Sequence, residues 1–173
     1  MGTRSNIFIE NVDGTFTGIY CHWDGYLDYN GVILYKGYQT PEKLQKLIDL
    51  GDISSLGAET IPSPLVEKFG FDYHANPEYK ALSEKEQERL QQEARKGNEQ
   101  DLPIYTTAYH RDRGEELNQM HAQSFQDVID QQGGSIEYLY VATRKKDNNL
   151  CWYVKSYDYF GFLQDALLEQ NLI

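Results

Sequence analysis

The sequence predicts an α+β fold, in which an antiparallel sheet built from two β-hairpins carries helices packed on one face. Two turns predict the hairpins: Asp-Gly at 13–14 and Lys-Asp-Asn-Asn at 146–149 each lie between two apolar or alternating runs. Elsewhere, capping residues precede apolar residues at helical spacing, which predicts the helices. We expect a single domain over 1–173.

The first hairpin is predicted at the N-terminus. Residues 5–11 alternate, with Ile7 and Ile9 on one face, and residues 15–23 follow the turn. The next apolar run, 30–38, suits a helix or a strand, and we favour a short helix.

A clear helix signal follows at 40–51. Thr40 can cap the helix, Pro41 suits its first position, and Gly51 can end it in a left-handed turn. Residues 83–96 are nearly all polar and begin with a Ser-x-x-Glu capping box. They predict an exposed helical excursion over about 78–101.

The second half of the chain repeats the plan of strands and helices. We expect a strand at 104–109 and a long helix that opens at Asp112 and ends before Gly133. A hairpin over 135–157 follows, and a helix at 162–170 closes the fold.

The charge and the cysteines limit the classes of function. The net charge is −11 and is spread along the chain, which disfavours direct binding of nucleic acid. The simplest interpretation of this charge is solubility, and the alternative is an acidic face that binds a basic partner, such as a DNA-binding protein. Cys21 and Cys151 are too few for a disulfide framework. We find no signal core and no apolar run that could span a bilayer, so we expect a cytoplasmic protein without membrane contact.

Common cofactor and metal motifs are missing from the sequence. It contains no G-x-G-x-x-G, no Walker A, no G-x-S-x-G, no H-E-x-x-H and no paired C-x-x-C. We therefore predict no cofactor and no metal.

Four residues are candidates for acid–base chemistry. His22 and Asp24 lie where the second strand is expected to leave the sheet, and His110 and Asp112 lie where a later strand meets a helix. If the two segments meet at one end of the sheet, they form a pocket for proton transfer. The alternative is that Asp24 belongs to a turn and that Asp112 caps a helix.

Arginines suggest a ligand-binding version of the same pocket. Arg111 and Arg113 near a helix N-terminus suit an anionic nucleotide, whose base would stack on Trp23. The alternative is that the arginines form ion pairs with Glu115 and Glu116.

The chain is rich in tyrosine, with 14 copies. Tyrosine and tryptophan dominate protein-binding surfaces, and here tyrosines cluster with acids near residues 20–38. The alternative is that most of them fill the core. The predicted protein-binding residues are Tyr20, Tyr26, Tyr29, Tyr35, Tyr38 and Asp28.

Four runs carry a resemblance to a known family: I-Y-C-H-W-D-G-Y (19–26), T-P-E-K-L (40–44), L-G-D-I-S-S-L-G (50–57) and A-Y-H-R-D-R-G-E-E-L (108–117). They resemble a family of small uncharacterised proteins encoded in bacteriophages and prophages. The resemblance implies a phage accessory protein in the bacterial cytoplasm, where many such proteins counter host defences. It implies no established activity.

We therefore expect a non-enzymatic phage accessory protein that binds a host macromolecule, most simply a protein, as an anti-defence or host-takeover inhibitor. One alternative is a protein that sequesters or hydrolyses a small anionic ligand in the His/Asp/Arg pocket. Another is a structural component of the virion.

Overall fold

The computed structural model describes residues 2–173 and has the predicted α+β class. Among these residues, eight strands form one sheet. The strands are β1 (Ser5–Glu10), β2 (Phe16–Cys21), β3 (Ile53–Ser55), β4 (Thr107–Ala108), β5 (Met120–Ala122), β6 (Tyr138–Arg144), β7 (Leu150–Lys155) and β8 (Phe160–Phe162).

Helices occupy most of the remaining regular structure. A π-helix spans Leu27–Gly31 and a 3-10 helix spans Tyr73–Ala75. Within 2–173, no helix combines the length and the apolar character needed to cross a membrane. The α-helices are α1 (Val32–Gly37), α2 (Pro41–Ile48), α3 (Pro64–Phe69), α4 (Pro77–Lys80), α5 (Glu84–Ala94), α6 (Tyr109–Arg113), α7 (Phe125–Gln131) and α8 (Leu163–Glu169).

The sheet is mixed, so the prediction of an antiparallel sheet was wrong. The strand order is β4-β3-β2-β1-β6-β7-β8, and β5 pairs with β2 beside this path. β1 pairs antiparallel with β2, and β6 with β7, but β1 and β6 are parallel neighbours, as are β2 and β3. The first and last thirds of the chain therefore meet through parallel pairing in the middle of the sheet.

Helices cover both faces of the sheet, whereas the sequence analysis placed them on one. Alternation along β1 sends Ile7 and Ile9 to a first face, where α1, α2 and α8 contribute to the main core. Phe8 points to the second face, where it packs in a smaller core with Val128 of α7. α7 covers this second face because its apolar stripe meets Phe8 and the β6 residue Val141.

The long helix predicted from Asp112 to Gly133 is replaced by three short elements. α6 ends at Gly114, which has a φ of 73° in the left-handed region. Residues 120–122 form β5 because their backbone pairs with β2. A new helix, α7, then begins after Ser124, whose hydroxyl accepts a hydrogen bond from the Asp127 N–H.

The polar segment forms a helix that packs against α3. α5 begins after Ser83, whose hydroxyl accepts from the Glu86 N–H at 3.2 Å, and none of its residues is buried. Leu65, Phe69 and Tyr79 form a small separate core against which this helix packs.

Candidate functional site

The segment after β2 is held against the sheet and then turns sharply. The His22 N–H donates to the Ile53 carbonyl at 3.2 Å, and the Trp23 N–H donates to the Ser54 carbonyl at 3.0 Å. Asp24 then adopts a φ of 58°, which non-glycine residues adopt rarely. The π-helix follows directly, and π-helical turns are frequent at functional sites.

Hydrogen bonds from buried polar side chains hold this turn in place. Asn30 is fully buried, and its side-chain N–H groups donate to the Ser5 hydroxyl at 3.2 Å and to Cys21 Sγ at 3.4 Å. The Tyr140 hydroxyl, equally buried, donates to the Gly25 carbonyl at 2.6 Å. The turn therefore has a fixed shape, since breaking any of these bonds leaves a buried polar group unpaired.

The side chains of Tyr20, His22 and Trp23 form a connected row. The Tyr20 hydroxyl is hydrogen-bonded to His22 Nδ1 at 2.6 Å. The His22 ring meets the Trp23 ring edge-on, with centroids 4.7 Å apart and an interplanar angle of 86°. Trp23 is 43% exposed, so part of its indole faces solvent, while His22 and the backbone of Gly2 lie against other parts of it.

Two acidic residues follow Trp23 closely in the chain. The Tyr26 hydroxyl donates to Asp24 Oδ1 at 3.0 Å, and Asp28 is exposed at the start of the π-helix. The surface thus combines aromatic rings with carboxylates. We call it the Trp23 patch, made of Tyr20, His22, Trp23, Asp24, Tyr26 and Asp28.

Three of the predicted protein-binding tyrosines lie away from this surface or beneath it. Tyr38 is fully buried and its hydroxyl donates to the Gly57 carbonyl at 2.7 Å, so its assignment as a contact residue was wrong. Tyr29 is half-buried against the main core. Tyr35 is half-buried and lines a cleft of about 420 Å³ beside Trp152.

The structure places the segment around 108–113 close to the Trp23 patch. β3 pairs with β2 on one side and with β4 on the other, so only this strand separates the two segments. Asp52 connects them: its Oδ1 accepts from the Tyr20 N–H at 3.0 Å, and its carbonyl accepts from the Tyr109 N–H at 3.2 Å.

Asp52 and Tyr109 are therefore site residues that the sequence analysis missed. Desolvation raises the pKa of the Asp52 carboxyl, and it also raises the pKa of the Tyr109 hydroxyl. No periodicity marks them, because β3 has three residues and β4 has two. The only signal was that Asp52 follows Gly51, a residue suited to ending a helix before a new element starts.

The predicted acid–base residues do not share a partner. His110 is exposed, and its Nδ1 is hydrogen-bonded to the Glu115 carbonyl at 2.6 Å, whereas His22 is bonded to Tyr20. Asp112 Oδ2 accepts from the Ala108 N–H at 2.7 Å and so caps the start of α6. Within the described residues, no three His, Cys, Asp or Glu side chains are grouped to hold a metal ion.

The two candidate arginines make internal contacts. The Arg111 guanidinium donates to the Thr60 carbonyl, to the Thr106 carbonyl at 2.8 Å and to Asp112 at 2.8 Å. It therefore ties α6 to two loop segments, a structural role instead of the predicted ligand-binding one.

The second arginine, Arg113, lies over an aromatic pair. Its guanidinium carbon is 4.4 Å from the Phe71 ring centroid and 4.9 Å from that of Tyr109, and its side chain also pairs with Glu115. These contacts link α6 to the segment around Phe71, which precedes the polar excursion. The ion pair with Glu115 corresponds to the alternative in the sequence analysis.

Comparison with known proteins adds no family to this description. The chain matches no protein-family model, no curated protein and no solved structure. Its function is therefore argued from the residues described above.

Proposed function

We propose that this protein is a non-enzymatic bacteriophage accessory protein that binds a protein of the bacterial host in the cytoplasm, through the Trp23 patch. The observation that carries the proposal is the exposed indole of Trp23, which packs against the ring of His22. The bacteriophage origin rests on the resemblance of the four sequence runs.

A fixed, exposed tryptophan suits a contact residue. Tryptophan is enriched among the residues that dominate binding energy, because it buries a large area with few rotatable bonds. The contacts of His22 with Tyr20 and Trp23 fix the ring before a partner arrives. Less conformational entropy is then lost on binding.

The charge of the patch suggests the chemistry of the partner. Asp24 and Asp28 follow Trp23 within five residues, and the whole chain carries a net charge of −11. Negative potential increases the rate of encounter with a positively charged surface. We therefore favour a basic host protein, including one that binds nucleic acid, whose basic surface this protein would cover.

The alternative of a small-ligand pocket has weaker support. His22 and His110 are bonded to different partners, and the Arg111 guanidinium is engaged by carbonyl groups and by Asp112. An anionic ligand would have to displace these internal contacts. A binding surface needs no such rearrangement.

Co-purification tests the proposal. The tagged protein, the Trp23→Ala variant and a Val12→Ala control would be expressed in phage-infected bacteria and recovered at physiological salt. Val12 is a suitable control because it is 88% exposed at the turn between β1 and β2, away from the patch.

We expect the same host protein to co-purify with the native chain and with Val12→Ala. It should not co-purify with Trp23→Ala. Equal recovery with Trp23→Ala, or no partner at all with the native chain, would contradict the proposal. Presence of the protein in purified phage particles would instead support the virion alternative.

A further inference from the structure

β8 forms one edge of the sheet. It follows β7 at the end of the strand order, and no strand within residues 2–173 pairs with its outer side. An unpaired strand edge presents backbone N–H and C=O groups that can bind another strand.

The pairing pattern shows which groups point outward. The Ser156 N–H donates to the Tyr159 carbonyl at 2.8 Å, which closes the turn between β7 and β8. Hydrogen-bonded pairs alternate along antiparallel strands, so Gly161 directs its backbone groups toward Val154. Phe160 therefore directs its N–H and C=O away from the sheet, and Phe162 directs its N–H outward, whereas the Phe162 carbonyl accepts from the Tyr159 hydroxyl.

Two exposed rings accompany this open edge. Phe160 and Phe162 are 55% and 48% exposed and point to the second face of the sheet. Behind them, Phe125 of α7 lies 6.0 Å from Phe160, and Tyr153 lies 5.1 Å from Phe162, measured between ring centroids. The rings form an apolar ledge along β8, defined by Phe125, Tyr153, Phe160 and Phe162.

A cleft lies beyond the end of β8, beside residues of the main core. It has a volume of about 420 Å³, and Phe162 forms part of its wall together with Trp152 and Gln164. Lys145 and Asp165 lie at the same cleft. A side chain of a bound segment could enter it.

Carboxylates lie on the other face of the same edge. Tyr159 packs against the main core, and its hydroxyl donates to the Phe162 carbonyl at 3.2 Å. Asp165 and Glu169 belong to α8, which begins directly after β8, and their negative charges, after desolvation, raise the pKa of Tyr159. Asp158 is exposed in the turn between β7 and β8.

These features distinguish between two occupants. A second copy of the chain would bring the same three carboxylates, Asp158, Asp165 and Glu169, to the edge and would be repelled by them. A segment with alternating side chains would place apolar groups over the Phe160–Phe162 ledge and basic groups near the carboxylates, since successive residues of a strand point to opposite faces.

We propose that the β8 edge binds an extended segment of a partner protein as an added strand, with apolar residues alternating with lysine or arginine. The Phe160 N–H and C=O and the Phe162 N–H supply hydrogen bonds, the ledge takes the apolar side chains, and the carboxylates take the basic ones. This inference does not depend on the Trp23 patch, because β8 and the β3–β4 pair lie at opposite ends of the strand order.

The test uses a short fluorescent peptide of alternating valine and lysine, and the same peptide with N-methyl groups on alternate residues. Methylation keeps the charge of the peptide and removes the backbone N–H donors of the methylated residues. The proteins are the native chain, Phe160→Pro, Phe160→Lys, Trp23→Ala and the Val12→Ala control, each checked for folding by circular dichroism. Binding is followed by fluorescence anisotropy.

We expect the unmethylated peptide to bind the native chain, Trp23→Ala and Val12→Ala equally. Methylation and Phe160→Pro should each weaken binding about fivefold or more, the effect of losing a hydrogen bond in the complex. Phe160→Lys should weaken it through charge repulsion even if the proline variant does not fold.

Two outcomes would overturn the inference. Equal binding of the methylated peptide would show simple attraction to an acidic protein. A native dimer in sedimentation that Phe160→Pro or Phe160→Lys dissociates would show that a second copy occupies the edge.

Discussion

The Tyr20 hydroxyl and His22 Nδ1 lie 2.6 Å apart, and this bond positions the ring against which Trp23 packs. Tyr20 and His22 point to the same side because they are two residues apart on an extended segment. The orientation of the exposed indole thus depends on a residue three positions earlier in the chain.

Tyr20→Phe should therefore loosen Trp23. The ring of His22 would lose its partner, and we expect acrylamide to quench the tryptophan fluorescence more strongly than in the native chain. Trp152 contributes little to quenching because it is 6% exposed. The free energy of unfolding should fall by about 1 kcal/mol, the net value of one hydrogen bond. Unchanged quenching would show that other contacts hold the indole.

Gly18 and Phe8 should be coupled in stability. A Cβ at position 18 would lie 2.5 Å from ring atoms of Phe8 in the neighbouring strand, so Gly18→Ala should destabilise the fold by about 1–3 kcal/mol. In a chain that already carries Phe8→Leu, Gly18→Ala should lower the free energy of unfolding by less than it does in the native chain. Gly133→Ala is the matched control, because a Cβ there meets no atom within 4 Å. Additive losses in urea unfolding would contradict this packing.

The two thiols should differ in reactivity. Burial raises the pKa of Cys21 to about 11, and its side chain is fully buried, whereas Cys151 is half-exposed. A disulfide reagent at neutral pH should modify one thiol in the native protein and two in the unfolded protein. Cys151→Ser should abolish the native reaction. Rapid native modification of that variant would show that the turn over Cys21 opens readily.

Asp52 should make stability depend on pH. Desolvation raises the pKa of its carboxyl in the folded state above 3.8, so the folded protein holds the proton more tightly than the unfolded chain. The stabilisation that protonated Asp52 gives the fold is fully present below pH 3.8. It is lost as the pH rises through the raised pKa that the carboxyl has in the folded state. Asp52→Asn keeps an oxygen acceptor for the Tyr20 N–H and cannot ionise.

We therefore expect Asp52→Asn to be more stable than the native chain at neutral pH and equally stable below pH 3.8. Urea unfolding at a series of pH values measures this difference, with Asp28→Asn as an exposed control. A variant less stable than the native chain at neutral pH would show that the Asp52 charge is a net stabiliser.

Local features of the fold could be predicted from the sequence because they depend on residues a few positions apart. The Thr40 hydroxyl accepts from the Lys43 N–H at 3.4 Å, and Ser83 caps α5 in the same way. Both helices begin where their capping residues indicated. A capping hydrogen bond joins residues within one helical turn, so the local sequence is enough to predict where such a helix begins.

Long-range pairing could not be predicted in this way. The parallel pairing of β1 with β6 places Ile7 opposite Tyr140, more than a hundred positions later in the chain. The apolar spacing from Leu117 to Ile129 suggested one long helix, but pairing of residues 120–122 with β2 outweighs helical propensity there. Sheet partners supply hydrogen bonds that a local pattern does not reveal.

The candidate site was predicted only in part for a related reason. Trp23 and Tyr38 both belong to an aromatic-rich stretch, yet one is 43% exposed and the other is fully buried. The difference arises because Trp23 lies after the end of β2, just before the turn at Asp24, whereas the Tyr38 hydroxyl reaches the Gly57 carbonyl inside the core. Side-chain type alone does not distinguish these two environments.

The most direct test of the proposed function is a titration of the purified host partner with the native chain, Trp23→Ala and Val12→Ala. We predict that Trp23→Ala weakens binding by at least about thirtyfold, the loss typical of a dominant contact residue, while Val12→Ala has no effect. Equal dissociation constants for all three proteins would contradict the assignment of the Trp23 patch as the binding surface.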